Sequence, residues 1–195
     1  MARTATTGFF FRKSLYGLEH PATMRYIIAN SATIKIGDLV RINTAGFAVR
    51  AAAGEAGAGV VEGIVDLNGV NVFSPRASGV TGTTLTPDDM VAVSSTNQSD
   101  ATRNVKVDVY IDPAGVLLFY NDADADQAAT NDFQYFDSSA TGNQITQSTA
   151  SDANGQWQLM QRDPDGDADL SKGLYRLAEN QFGLMLDSAT AKNAA

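Results

Sequence analysis

The sequence predicts an all-β protein: a small β-barrel core, an extended N-terminal arm and long loops. Three observations carry this. The 195 residues include 18 Asp against four Glu, so the acids are mostly the turn-forming kind rather than the helix-forming kind. Apolar side chains recur with period two in several short runs, and helix-period stripes are scarce. Gly, Asn, Ser and Thr punctuate those runs where turns are needed. A chain of this length buries roughly 70% of its unfolded surface. It has no Cys, so the core is expected to hold without disulfides or thiolate-bound metal.

In chain order, residues 1–23 lack sustained periodicity and are broken by Gly8, Gly17 and Pro21. They read as an extended arm that orders against a partner. Met24 to Asn30 is the first strand expected in the core. From Ala32 to Asn43, Ile34 and Ile36 and then Val40 and Ile42 alternate with polar positions on either side of Gly37-Asp38. This predicts a strand that turns sharply and resumes. Asn43-Thr44-Ala45-Gly46 has the residues of a three-residue hairpin loop closed by a left-handed Gly. Asp112-Pro113-Ala114-Gly115 repeats the device between Val105–Ile111 and Val116–Tyr120, and there the expectation of a hairpin is strongest.

Ala51 to Gly59 is a small, flexible joint, and Gly59–Leu67 is a strand in which Gly63 marks a bulge or tight bend. Residues 68–88 read as a long loop, followed by a short strand over Met90–Val93. After Tyr120 the composition turns polar: 121–131 and 137–155 look like an exposed insertion. Strands return near Gln156–Met160, Gly173–Leu177 and Phe182–Leu186. The expected organisation is an arm over 1–23, a barrel-like core over 24–120, and a polar insertion with C-terminal strands over 121–195. Those strands either complete the core or form a second small lobe.

Charge is uneven. The formal net charge is −8, yet residues 1–50 carry +5 and residues 51–195 carry −13. A basic leading segment on an acidic body is expected to dock on something acidic. The body's negative field argues against nucleic acid as a partner. No apolar run is long enough to cross a membrane as a helix, and the Gly8–Phe11 burst is too short for an export signal. One His, His20, rules out a multi-histidine metal site and leaves a Ser-His-Asp triad a single candidate base. The Gly54, Gly57 and Gly59 run lacks the Gly-Lys-Ser/Thr ending of a phosphate loop. Glu19, Glu55, Glu62 and Glu179 form no motif for glycoside hydrolysis. The chain is therefore not expected to be an enzyme, and no cofactor is expected.

Two clusters remain. Phe9-Phe10-Phe11 followed by Arg12-Lys13 places three aromatics in a row, and a strand cannot turn all three to one face. Either at least one is exposed as an interface anchor, or all three lie buried between sheet and loop. With Arg25, these five residues are the candidate contact surface of the arm. Asp163, Asp165, Asp167 and Asp169 concentrate four carboxylates in seven residues, as do Asp122, Asp124 and Asp126 on a smaller scale. Calcium needs six to eight oxygens, but Gly166 and Leu174 stand where the helix-loop-helix pattern has other residues. A solvated turn is the favoured reading. Trp157 is expected in the core.

The run Ile34-Lys35-Ile36-Gly37-Asp38-Leu39-Val40, the hairpin to Phe47-Ala48-Val49, the Ala-rich joint and Gly59-Val60-Val61-Glu62-Gly63-Ile64-Val65 together resemble the capsid decoration proteins of tailed bacteriophages. The resemblance covers about 35 residues. It implies a small β-barrel or tulip-like domain with no catalytic residues, made in the host cytoplasm and bound to the virion exterior. Its partner would be the major capsid protein, often contacted by a homotrimer that braces the shell. On that reading, deleting residues 2–20 removes shell binding and leaves the body folded. The alternative is a carbohydrate- or receptor-binding module of a virion, assisted by calcium.

Overall fold

The structure is a computed structural model and describes residues 8–17, 21–65, 69, 71–72, 91–92, 97–99, 104–139, 144–162, 164–166 and 170–181. Among them run β1 (Phe10–Ser14), β2 (Thr23–Ile27), β3 (Thr33–Ile34), β4 (Leu39–Ile42), β5 (Ala48–Arg50), β6 (Gly59–Val65) and β7 (Asn71–Val72). They continue with β8 (Val91–Ala92), β9 (Lys106–Ile111), β10 (Leu117–Asp122), β11 (Tyr135–Phe136), β12 (Trp157–Arg162) and β13 (Lys172–Leu177). Single 3-10 turns lie at Ala129–Asn131 and Gln147–Thr149. The all-β expectation holds.

Two antiparallel sheets pack together. The first has the order β2-β9-β6-β4-β5, with the short β7 beside β6. A parallel bridge between Ile28 and Ala48 joins its two ends, through the Ala29 N–H donating to the Ala48 carbonyl at 2.9 Å. The sheet thereby closes on itself as a small barrel. Its interior is the cluster Ile28, Ile34, Val40, Ala48, Val61, Ile64, Val105, Val107 and Val109. The alternate positions Leu39 and Val60 face outward into a second cluster with Phe9, Leu117, Phe119, Phe136, Trp157, Leu159, Tyr175 and Leu177. That cluster fills the space between the barrel and the second sheet, ordered β1-β10-β13-β12-β11. Each fully buried large side chain contributes about 1.5–3 kcal/mol, so both layers depend on this shared core.

The Gly37-Asp38 corner is built from charge as well as backbone. Gly37 has φ +86°, a conformation that L side chains seldom adopt. The Asp38 carboxylate is fully buried and accepts the Lys35 N–H and the Arg50 Nε–H, each at 2.9 Å. Burial pushes its pKa up, against the opposing pull of Arg50 and Lys35. The corner also receives the N-terminal segment: the Phe9 N–H donates to the Gly37 carbonyl at 2.8 Å. In β6 the register against β9 slips between Val61 and Gly63. This is the bulge foreseen at Gly63, and it turns both Val61 and Ile64 to the barrel interior. A Cβ on Gly59 would strike the Tyr110 carbonyl oxygen, so only Gly permits this close approach of β6 to β9.

Four expectations are corrected. Asn43–Gly46 does close a hairpin, β4 to β5, but Asp112–Gly115 does not. β9 pairs with β2 and β6, whereas β10 pairs with β1 and β13, so this turn is the corner where the chain passes between sheets. At this corner the Asp112 side chain accepts the N–H groups of Val116 and Leu117, both at 2.8 Å. The barrel expected over 24–120 therefore ends with β9 at Ile111, and β10 belongs to the second sheet.

The insertion expected over 121–155 is also part of the core. Phe136 and Ile145 are fully buried. Asn121, buried, donates to the Gly8 carbonyl at 2.8 Å and accepts from the Ile145 N–H at 2.9 Å. Gln156, equally buried, donates to the carbonyls of Ala52 and Glu55 at 2.7 and 2.6 Å and accepts from the Ser138 N–H and hydroxyl. Polar side chains with complete hydrogen bonding can be buried, which a polar composition does not disclose. Of the alternatives left open for the C-terminal strands, β12 and β13 complete the second sheet. Finally, the middle of the expected arm is strand β1, antiparallel to β10 at the edge of that sheet. Residues 1–7 and 18–20 of the arm, most of the 68–88 loop and the strand expected near Phe182–Leu186 lie outside the described residues.

Candidate functional site

The aromatic run is divided by strand alternation. Phe9 is 1% exposed and stacks on Trp157, with ring centroids 3.9 Å apart and planes 10° from parallel. Phe11 borders the same core, 5.6 Å from the Tyr110 ring and 6.3 Å from the Phe119 ring. Phe10 is half-buried. Phe9 is thus a core residue, and its place among the contact residues is corrected. Trp157 is fully buried, as expected.

The cations of the arm have partners inside the chain. Arg12 meets Asp165 at 3.3 Å, and Lys13 donates to the Gln161 side-chain oxygen at 3.5 Å. Arg25 makes a two-pronged bond to Asp108, at 2.8 and 2.9 Å. That hydrogen bond raises the Arg25 pKa further above its ordinary value. The exposed Arg12 pair is worth about 0–1 kcal/mol. The register of β1 slips between Phe11 and Lys13. A bulge bearing cations on an edge strand discourages pairing with a further strand, which gives Arg12 and Lys13 a role in the fold of this chain. Arg12 and Arg25 are thus both paired with carboxylates of the acidic body while their side chains stay about half exposed.

Five large apolar side chains are exposed among the described residues. Leu15, Tyr16 and Met24 belong to segments beside the Asp112–Gly115 corner, while Phe133, 61% exposed, lies beside β12, and Leu170 is the fifth. Leu15 is 46%, Tyr16 79% and Met24 50% exposed. The Leu15 N–H donates to the Val116 carbonyl at 2.9 Å, and the Ile111 N–H donates to the Ala22 carbonyl at 3.0 Å. These bonds tie both segments to the two flanks of one corner. A tight turn presents Tyr16: its N–H donates to the Ser14 hydroxyl at 3.1 Å, and Gly17 follows with φ +74°. The sequence signal for this feature was an apolar pair directly ahead of a turn glycine, inside a segment read as an extended arm.

The acidic loops are engaged in local structure. Asp165 holds Arg12; Asp163, Asp167 and Asp169 lie outside the described residues. Asp122 accepts from the Ser171 hydroxyl and Asp124 from the Gln147 N–H, both at 2.7 Å. Among the described residues no three acidic or histidine side chains converge on a metal position, and no helix is long and apolar enough to cross a membrane. Compared with protein-family models, with curated proteins and with solved structures, the chain gives no match.

Proposed function

We propose that this chain is a structural virion protein that binds the outer surface of a phage capsid and stabilises it. The observation that carries the reading is the exposure of Leu15, Tyr16 and Met24 beside the Asp112–Gly115 corner. Large apolar side chains kept in water beside one corner of a compact domain suit burial against a partner. The resemblance of residues 34–65 to capsid decoration proteins supports the same reading and suggests the major capsid protein as the partner, contacted by a trimer. Adhesion on this account is apolar, with Lys13 nearby; the paired Arg12 and Arg25 contribute little.

Deleting residues 2–20 is no longer a clean test, because it removes β1 and the Phe9 ring from the second sheet. The informative variant is Leu15→Ser with Tyr16→Ser. In co-sedimentation with capsids that lack the protein, the unaltered chain is expected to saturate and the double variant to bind at least tenfold more weakly, with both equally folded. Equal binding of the two, or no binding by the unaltered chain, overturns the proposal.

A further inference from the structure

A cleft of about 160 Å³ opens between β1 and the bulge of β6, lined by Phe9, Phe10, Phe11, Ile36, Val61, Glu62 and Tyr110. Its size excludes most whole ligands, whose pockets run roughly 300–1,000 Å³. An apolar cavity of about 150 Å³ holds a benzene-sized group, so the cleft suits one compact group. Its chemistry is unusual. The partly exposed Phe10, Phe11 and Tyr110 line it beside a single carboxylate, and Glu62 is the one charged residue of the seven. The Tyr110 hydroxyl donates to Glu62 Oε1 at 2.8 Å, leaving Oε2 available. Burial first, and the Glu62 bond second, raise the Tyr110 pKa above its ordinary value, so the phenol stays a neutral donor. The bulge fixes Glu62 here, since it is the extra residue opposite β9.

Each class of occupant meets a different fate. An anion is repelled by Glu62 and by the net charge of −8. A neutral apolar group would strip water from the carboxylate with no compensating bond. A sugar would find only two polar side chains. A cation with an alkyl surface gains from both elements, because ring faces attract positive charge and the carboxylate neutralises it.

We infer that this cleft is a binding site for an organic monocation, an alkylammonium or guanidinium group held by the aromatic rings and Glu62. The group can arrive as a free quaternary ammonium compound or as the end of a Lys or Arg side chain. The site lies apart from the capsid reading and does not depend on it.

The test is a titration of the full chain followed by NMR, with tetramethylammonium chloride replacing sodium chloride at constant ionic strength. Saturable shifts at residues around Glu62 are expected, and tert-butanol, of the same shape without charge, is expected to bind at least tenfold more weakly. Glu62→Gln is expected to weaken tetramethylammonium binding about fivefold or more, and Phe10→Leu is expected to weaken it with the pocket still filled. Comparison with N-acetyl-lysine methylamide separates the sources: tighter binding of the lysine compound assigns a protein side chain, and weaker binding a free quaternary cation. Equal binding of tert-butanol makes the cleft a simple apolar hole and overturns the site. Unchanged affinity in folded Glu62→Gln does the same.

Discussion

Phe9 and Tyr16 stand seven residues apart and do opposite things. Phe9 is sealed against Trp157, while Tyr16 is 79% exposed on the turn after β1. Removing a buried aromatic costs about 3–5 kcal/mol, through lost transfer energy and the cavity left behind. Phe9→Ala is therefore expected to lower stability by that amount in chemical denaturation. Tyr16→Ser, at an exposed position, is expected to change it by no more than about 0.5 kcal/mol. If the two cost the same, the division between core and contact residues is wrong. The sequence made clear that Phe9, Phe10 and Phe11 could not share one face. It did not reveal which were buried, because that depends on β10 and β12, more than 100 residues away.

Individual elements show where local patterns suffice and where they fail. The alternation around Gly37-Asp38 and the bulge near Gly63 were legible, since backbone geometry dictates both. The two Gly-closed turns share one pattern but join different things. Asn43 accepts the N–H groups of Ala45 and Phe47 and still pairs through its own N–H with the Phe47 carbonyl, keeping a hairpin. Asp112 accepts the N–H groups of Val116 and Leu117, and from this turn the chain passes into another sheet.

Asp112 also has a pH signature. Burial raises the pKa of Asp112, and likewise that of Asp38, above the ordinary 3.8, despite the hydrogen bonds that oppose it. Between 3.8 and the folded-state values, the folded chain holds protons that the unfolded chain has released. Stability therefore falls as pH rises through this window and levels off above it. The melting temperature is expected to be higher near pH 4.5 than at pH 7, and Asp112→Asn is expected to shrink the difference on top of a constant loss. An identical pH slope in the variant would refute the role given to Asp112.

At the scale of the molecule, one core joins residues from both ends of the described chain. Phe9, Leu39 and Val60 meet Phe136, Trp157 and Tyr175, so the barrel and the second sheet hold each other in place. The sequence revealed the fold class and most barrel strands, but missed that residues 121–155 build into this core. Buried Asn121 and Ser138 within them, and Gln156 just beyond, resemble surface residues until their distant partners are known. Of the conspicuous residues near the N-terminus, Phe9 is buried and Arg12 and Arg25 pair with carboxylates, whereas Leu15, Tyr16 and Met24 are exposed, and the proposed function sets those three against the capsid. Cryo-electron microscopy of virions encoded by the same genome tests this most directly. The expected map shows the domain on the outer shell with Leu15, Tyr16 and Met24 against the major capsid protein. A domain found on the tail, missing from the particle, or seated with those three facing solvent would contradict the account.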